Sequence, residues 1–291
     1  MDWTRHRDTW PLAETSRFVL SKPHKWHVQE GGSGPLLLLL HGAGGGTQSW
    51  RHLIPVLNKS YRTVAIDLPG QGFTKLGAQQ RCGLDDMSED IAALCAQEGW
   101  RPAAIIGHSA GAAIALRMAE KMVEEMAPAP PVIGINAALG NFKGPAGVLF
   151  PVMAKVLAAT PWVAHLFTAS TARKGSVERL LAGTGSTLPP EDMVYYKALV
   201  SDRDHVDAAL AMMAQWRLDP LLARLGDHPS RTLLIAGAGD KTVPPQTSKE
   251  VADRMPDAAY VALPGLGHLA HEEDAPAVAA LIEPFLKEQL G

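Results

Sequence analysis

A serine between two glycines, Gly107-His108-Ser109-Ala110-Gly111, is the stretch of this chain whose residue types best support chemistry. An apolar run precedes it and small, helix-compatible residues follow it, which is the pattern of a strand that turns sharply into a helix. Because such a turn strains the backbone of its central serine, the residues two positions away must lack bulk. The pattern therefore predicts that Ser109 is a nucleophile at the start of a helix.

A serine hydroxyl is a weak nucleophile at neutral pH, so it needs a base, and the base needs an acid to orient it. Two later loops supply these groups in the order typical of such a turn. Asp240 follows the predicted strand Thr232–Ala236, and His268 follows the last predicted strand, Ala259–Leu263. Asp240 as a turn or capping residue and His268 as a surface loop residue are less favoured, because three independent loops supply the three roles. We therefore expect Ser109 to attack, His268 to carry the proton and Asp240 to orient the imidazole.

The same chemistry requires hydrogen-bond donors for the oxygen that becomes negatively charged. The backbone amide of Ala110 is one candidate, and that of Ala43, in the segment His41-Gly42-Ala43-Gly44-Gly45-Gly46, is the other. A glycine-rich segment after a strand can instead bind a phosphate, but no dinucleotide-binding spacing or acidic partner supports that interpretation. A metal pair at His268 and His271 is also disfavoured, because no third ligand is evident. The sequence predicts neither a metal nor a cofactor.

The elements around these residues alternate between strands and helices, which predicts a mostly parallel, eight-stranded sheet covered by helices on both faces. Five consecutive leucines, Leu36–Leu40, are apolar on both faces, as a central strand requires. The other predicted elements are an arm over residues 1–14, a hairpin of Ser16–Leu20 and Lys25–Gln29, strands Thr63–Ile66 and Val132–Asn136, a strand that starts at Ala103 and leads into the serine turn, and helices Trp50–Asn58, Met87–Gln97, Thr247–Arg254 and Pro276–Leu290.

The alternation stops between about Leu139 and Leu225, where helical segments are separated by proline and glycine. This predicts a helical cap over residues 139–225, inserted into a core of residues 1–138 and 226–291. Between Pro145 and Thr171 the only charged residue is Lys155, so we expect cap core and part of the roof of a large apolar pocket.

The residues expected to line or frame that pocket are His41, His108, Asn136, Phe150, Trp162, Met212, Met213 and Trp216. Two histidines among them, His41 and His108, are expected to build the loops around the site. Asn136 has two interpretations, since it follows a strand and could line the pocket or cap the entry into the insertion. An apolar site with adaptable methionines favours a bulky, flat, apolar ligand over a sugar or a phosphate ester.

Composition narrows the classes of protein further. The chain has 291 residues, of which 46% are hydrophobic and 20% charged, enough for one large domain with an insertion. Its net charge of -3 gives no electrostatic reason to expect nucleic acid as a partner. Two isolated cysteines form no metal or redox motif, and no signal peptide or membrane span is evident. We therefore expect a cytoplasmic protein.

With these residues in view, the chain resembles the α/β-hydrolase superfamily, and within it the magnesium-chelatase accessory hydrolases of bacteriochlorophyll biosynthesis. Besides the serine turn, the segments that carry the resemblance are Trp10-Pro11, Ser16-Arg17-Phe18-Val19, Trp26-His27-Val28-Gln29, Gly183-Thr184-Gly185-Ser186, Met212-Met213-Ala214-Gln215-Trp216 and Leu263–Glu273. Several lie outside the predicted catalytic loops. The sequence departs from the family at Ala43, where threonine is frequent, and at Gln71, where histidine is usual. Since Ala43 would act through its backbone, the oxyanion assignment is unaffected.

The resemblance implies an α/β-hydrolase fold, and a role at the magnesium-insertion branch of pigment synthesis with magnesium-chelatase subunits as partners. Two functions are open. One is a serine hydrolase acting on an ester or related acyl bond of a bulky apolar substrate, with a tetrapyrrole as a candidate. The other is a non-catalytic tetrapyrrole-binding accessory or carrier protein for the chelatase. Because a carrier has no need of all three catalytic groups, the enzyme is favoured. The absence of an ATPase motif from the sequence excludes the chelatase motor itself.

Overall fold

The computed structural model describes residues 1–124, 128–140 and 175–290. This part of the chain forms an eight-stranded sheet with the order β1-β2-β4-β3-β5-β6-β7-β8. Its strands are β1 (Ser16–Ser21), β2 (His24–Gly32), β3 (Leu36–Leu40), β4 (Arg62–Ile66), β5 (Ala104–His108), β6 (Val132–Ile135), β7 (Thr232–Gly237) and β8 (Ala258–Leu263). β2 pairs antiparallel with β1 and β4, and the other pairings are parallel. The predicted mostly parallel sheet of eight strands is confirmed.

The central strand β3 contributes to the hydrophobic core on both faces of the sheet. Leu38 and Leu40 pack into the core on one face, whereas Leu37 and Leu39 pack into the core on the other. All four side chains are fully buried. Successive side chains of a strand point to opposite faces, so only a strand covered on both sides accommodates consecutive leucines.

The described ranges contain the helices α1 (Trp3–His6), α2 (Ile54–Leu57), α3 (Leu84–Glu98), α4 (Ala110–Glu124), α5 (Ser176–Gly183), α6 (Pro190–Ser201), α7 (Arg203–Gln215), α8 (Asp219–Ala223), α9 (Pro245–Ala252), α10 (Ala270–Glu273) and α11 (Ala275–Leu290). α3, α4 and α9 contribute to one core, and α2 and α11 to the other. Across the described residues, none of the helices combines the length and the apolar character that crossing a bilayer requires.

The segment between β6 and β7 is the predicted cap. Within its described residues, 139–140 and 175–225, it holds helices α5 to α8 and no strand. Met212 and Leu221 from α7 and α8 join the core that contains α3 and α4. Residues 141–174 lie outside the described residues, so the predicted apolar roof, with Phe150 and Trp162, is not described. The division of the chain into a core and a cap stays a prediction.

The first residues of the chain form an arm that packs on the body, as the sequence analysis expected. The rings of Trp3 and Trp10 meet that of Phe73 edge to face, with centroids 4.9 and 4.8 Å apart. Trp10 also contacts Tyr195 of α6, at 5.6 Å between centroids. The arm therefore joins the loop after β4 to a helix of the predicted cap.

The single helix predicted over Trp50–Asn58 is wrong. The structure has a 3-10 helix at Thr47–Trp50, followed by the short helix α2. Pro55 occupies the second position of α2. Pro55 has no amide hydrogen to donate to the carbonyl of residue 51, so an α-helix that began at Trp50 would lose a hydrogen bond there. The α-helix therefore begins only at Ile54.

Candidate active site

Ser109 occupies the junction between β5 and α4 with a backbone φ of 51°, a left-handed conformation that serine rarely adopts. Its flanking glycines permit this turn. A Cβ on Gly107 would lie 2.3 Å from the Gly111 carbonyl oxygen, and a Cβ on Gly111 would lie 2.0 Å from the Leu40 carbonyl oxygen. Both positions therefore exclude a side chain, for the steric reason on which the sequence prediction rested.

The structure brings Ser109, His268 and Asp240 together from three separate loops. His268 Nε2 lies 3.1 Å from Ser109 Oγ, and His268 Nδ1 lies 2.7 Å from Asp240 Oδ2. The three residues are buried. This is the geometry that a nucleophile, a base and an orienting acid require.

Asp240 is held as a carboxylate. Burial opposes its ionisation, but the hydrogen bond and the charge of His268, the Val243 amide and the Asn136 side chain outweigh burial and lower the pKa of Asp240. Oδ1 accepts from the Thr242 and Val243 amides, at 2.7 and 2.9 Å, and Oδ2 accepts from Asn136 Nδ2 at 2.8 Å. With the carboxylate ionised, His268 Nδ1–H donates to it. His268 Nε2 is then free to accept the proton of the Ser109 hydroxyl.

Asn136 supports the acid and the loop that carries the base. Its amide nitrogen donates to Asp240 Oδ2 and also to the Gly267 carbonyl, at 3.1 Å. The residue is buried and has a φ of 47°, a conformation that asparagine tolerates better than most residues. The structure thus places the amide of Asn136 behind the carboxylate, and its predicted place in the pocket lining stays a prediction.

His108, next to the serine, fixes the base from the other side. Its Nε2 donates to the His268 carbonyl oxygen at 2.9 Å, and the two rings are 4.9 Å apart. Burial, reinforced by the nearby His268, lowers the pKa of His108 to about 3. A neutral His108 adds no positive charge beside His268, so the imidazolium that forms during catalysis is not repelled.

The predicted oxyanion amides belong to Ala110, which follows the serine in the chain, and to Ala43, in the loop after β3. Within the described residues, neither amide donates a hydrogen bond to another protein atom. A Cβ on Gly42 would lie 2.8 Å from the Cβ of Ser109, so the loop after β3 lies directly against the nucleophile. This close approach suits a loop that receives the developing charge of an attacked carbonyl group.

His41 orients the peptide group that carries the Ala43 amide. Its Nδ1 donates to the Gly42 carbonyl oxygen at 2.7 Å, and its Nε2 accepts from the Leu68 amide at 2.9 Å. Burial lowers the pKa of His41, which keeps the ring neutral and leaves one nitrogen as a donor and the other as an acceptor. Since the carbonyl and the N–H of a trans peptide point in opposite directions, fixing the Gly42 oxygen also directs the Ala43 N–H.

Two side chains that the sequence analysis did not assign hold the next residue of the loop, Gly44. Gln71 Oε1 accepts from its amide at 2.7 Å, and His205 of α7 donates from Nε2 to its carbonyl oxygen at 3.2 Å. Gln71 Nε2 also lies 3.3 Å from the sulfur of Met212. No local motif marks either role, because both partners become neighbours of the loop only in the folded chain.

The remaining predicted pocket residues differ in exposure. Met212 is buried against Gln71, whereas Met213 and Trp216 are half-buried. Trp216 packs against the core that contains α3 and α4. Phe150 and Trp162 lie outside the described residues. The lining of the pocket therefore stays a prediction.

The acidic residues that follow His268, Glu272 and Glu273, make structural hydrogen bonds and ion pairs. Glu273 accepts from the Gly267 amide at 2.8 Å, which supports the loop of the base. Arg51 donates to Glu272 at 2.6 Å and to Asp192 of α6 at 2.7 Å, in a buried network that Tyr196 joins. Within the described ranges, no group of three or more His, Cys, Asp or Glu side chains could hold a metal ion.

A second hydrogen-bonded series of serine, histidine and aspartate side chains lies away from this site. Comparing the two series shows which features belong to the candidate site alone. His27 Nε2 is 3.1 Å from Ser16 Oγ, and His27 Nδ1 is 2.7 Å from Asp67 Oδ2. These are the distances found in the candidate triad. Ser16, however, has an extended backbone with a φ of -80° and also accepts a hydrogen bond from Gln29. It lies in a strand, without the helix N-terminus that follows Ser109.

Comparisons with known proteins show the family to which the chain belongs. The family model of the alpha/beta hydrolase fold matches residues 35–275. The chain is also 42% identical over 280 residues to the magnesium-chelatase 30 kDa subunit of Rhodobacter capsulatus, with 96% of each chain covered. The chain belongs to the α/β-hydrolase family.

Two further similarities involve a hydrolase and an esterase. The chain is 26% identical over 285 residues to a 2-hydroxymuconate semialdehyde hydrolase of Pseudomonas sp. strain CF600, covering 94% of this chain and 95% of that one. Among solved structures, an esterase from Thermogutta terrifontis has a TM-score of 0.74 at 20% identity, covering 94% of this chain and 98% of that one. At this identity the structural likeness shows the fold alone. The predicted fold class and the predicted resemblance are confirmed.

Proposed function

We propose that this α/β-hydrolase-fold protein is a serine hydrolase that cleaves an ester or a related acyl bond. The observation that carries the proposal is the chain of hydrogen bonds from Ser109 through His268 to Asp240, with distances of 3.1 and 2.7 Å. It ends in a carboxylate whose pKa is lowered by its partners. A relative named as a hydrolase supports hydrolysis as the kind of reaction.

In the proposed reaction, Ser109 Oγ attacks the carbonyl carbon of the substrate while its proton moves to His268 Nε2. Asp240 stabilises the imidazolium, and the amides of Ala43 and Ala110 receive the negatively charged oxygen. The carbon–oxygen bond to the leaving alcohol then breaks, and His268 returns the proton to that alcohol. A water molecule, deprotonated by His268, attacks the acyl-serine. The carboxylic acid leaves and the serine regains its proton.

For the substrate, we propose a bulky apolar molecule. The support is the position of Met213 and Trp216, half-buried on and after α7, together with the apolar stretch predicted between residues 145 and 171. The relative named as a magnesium-chelatase subunit makes a tetrapyrrole the first candidate. It also supports a cytoplasmic role beside chelatase subunits at the magnesium-insertion branch of bacteriochlorophyll synthesis.

A second candidate function is that of a tetrapyrrole-binding accessory or carrier protein. The same relative favours it, because its name refers to an assembly and not to a hydrolytic reaction. The two candidates make opposite demands on Ser109. A carrier would tolerate the loss of the hydroxyl, whereas a hydrolase depends on it.

Ester hydrolysis by matched serine variants separates the two. We expect the wild-type protein to hydrolyse p-nitrophenyl esters, with kcat/KM rising as the acyl chain lengthens into an apolar pocket. Ser109→Ala should lower the rate on the order of 10⁴-fold or more. Ser16→Ala removes the hydroxyl of the second hydrogen-bonded chain and should leave the rate unchanged. Equal rates in wild type and Ser109→Ala would contradict the hydrolase and favour the carrier.

A further inference from the structure

A relay of hydrogen bonds runs from helix α7 to the Ala43 amide. His205 Nε2 donates to the Gly44 carbonyl oxygen at 3.2 Å. That carbonyl shares a peptide group with the Gly45 amide, which donates to the Gly42 carbonyl oxygen at 3.0 Å. The Gly42 carbonyl in turn shares a peptide group with the Ala43 N–H. Two peptide groups therefore connect a histidine of the predicted cap to a predicted oxyanion donor.

Among the described residues, hydrogen bonds and not packing hold this turn at Gly44. The residue has a φ of 76°, and a Cβ placed on it would meet no atom of the described ranges within 4 Å. Its amide and its carbonyl are held instead by Gln71 and His205. Donation to a carbonyl polarises the N–H of the same peptide group, so hydrogen bonds in series reinforce one another. A bond at Gly44 can thus affect both the direction and the strength of the Ala43 donor.

His205 is itself held in one orientation and one tautomer. Its side chain is buried, and its Nδ1 accepts from the Gly72 amide at 3.0 Å, which leaves the proton on Nε2. Its own amide donates to the carboxylate of Asp202, the residue that caps the N-terminus of α7. Burial, reinforced by His41, lowers the pKa of His205 to about 4, against the opposing effects of the hydrogen bond to Gly44 and of Asp202 and Asp67. The ring is therefore neutral near pH 7.

We propose that His205 is a positioning residue that aligns the Ala43 amide, through these two peptide groups, for the oxyanion of the reaction. Helix α7 thereby sets the geometry of a site to which it contributes no reacting atom. The inference rests on the proposed function, since it assigns Ala43 as a donor to the transition state.

Two amide variants separate the two contacts of the histidine. The longer side chain of His205→Gln can place a donor near the position of Nε2, toward Gly44. The shorter side chain of His205→Asn retains an acceptor for Gly72 but does not reach Gly44. We expect His205→Asn to lower kcat for a p-nitrophenyl ester about 10- to 100-fold with little change in KM, because the lost interaction acts in the transition state. His205→Gln should retain most of kcat.

Hydrogen–deuterium exchange of the loop peptide containing residues 41–46 provides a readout that does not depend on activity. Exchange there should rise in His205→Asn and stay near the wild-type rate in His205→Gln, with equal melting temperatures showing that both are folded. Wild-type kcat and wild-type exchange in His205→Asn would overturn the proposal. A folded His205→Gln with a 10- to 100-fold loss would also overturn it, even if His205→Asn fails to fold. Should the wild-type protein hydrolyse no ester, the proposed function fails and exchange alone decides the positioning role.

Discussion

Acid should destabilise this protein well before its carboxylates titrate, because several histidines are buried in neutral form. The loss of free energy of unfolding can be worked out for His108 and His205, because burial lowers their pKa values to about 3 and about 4. An unfolded histidine titrates near pH 6.5. The unfolded chain therefore binds more protons as the pH falls below about 6.5, and the free energy of unfolding decreases in that direction.

At pH 5 the solution is about 1.5 units below the unfolded pKa of histidine and still above both folded values. Each pKa unit corresponds to about 1.4 kcal/mol, so each histidine lowers the free energy of unfolding by about 2 kcal/mol, and both together by about 4 kcal/mol. Asp240 and Asp67, whose pKa values are lowered, add little at pH 5, because unfolded aspartate titrates near 3.9. Glu272, whose pKa is raised by burial, acts in the opposite sense.

Urea unfolding followed by tryptophan fluorescence at pH 7.5 and pH 5.0 measures this change. The matched variant is His108→Gln, whose amide can still donate to the His268 carbonyl but does not titrate. It should be less sensitive to pH than the wild type by about 2 kcal/mol. A wild-type free energy of unfolding that is the same at both pH values would refute the reasoning, as would an undiminished pH dependence in the variant.

Three further outcomes are expected. Asp240→Asn should fold but lose on the order of 10⁴-fold in kcat, because an amide cannot stabilise the imidazolium of His268; retention of most activity would mean that another acid serves. Gly111→Ala should lower the melting temperature strongly, since its Cβ would lie 2.0 Å from the Leu40 carbonyl oxygen, and an unchanged melting temperature would contradict the elbow geometry. Ser109→Ala should bind protoporphyrin IX with a micromolar dissociation constant, detected as quenching of Trp216; no quenching at tens of micromolar would count against a tetrapyrrole ligand.

The sequence predicted the parts of the fold that short-range sterics determine. Gly107 and Gly111 lie two positions before and after Ser109. The lack of a side chain at both positions indicates that the backbone packs closely against itself at this turn. Five consecutive leucines in β3 likewise indicate a strand with hydrophobic core on both faces of the sheet. The order of serine, aspartate and histidine was expected because it is typical of this kind of serine turn, and the loops that follow parallel strands meet at one edge of the sheet.

Contacts between distant segments could not be predicted in this way. His205 reaches Gly44 across 161 positions, and Gln71 reaches Met212 across 141. His205 belongs to no motif, and the resemblance gave Gln71 no role beyond its departure from the usual histidine. A buried histidine or glutamine usually serves packing and hydrogen-bond satisfaction. Ser16 shows that hydrogen-bond distances alone are not sufficient either. The hydrogen bonds that join Ser16 to His27 and His27 to Asp67 have the same lengths as those of the candidate triad, but Ser16 does not lie at a sharp turn between a strand and a helix. Residue types alone do not distinguish the two serines, whereas the backbone conformation does.

The central claim, that Ser109 is an activated nucleophile, is tested most directly with a fluorophosphonate. Such a probe phosphonylates an activated serine with loss of fluoride, and the adduct can be located by peptide mass spectrometry. The protein should gain one adduct, on the peptide containing Ser109, at a rate that Asp240→Asn reduces and Ser16→Ala leaves unchanged. An unmodified Ser109 in folded protein would contradict the account, and so would an adduct that forms equally well on Ser16.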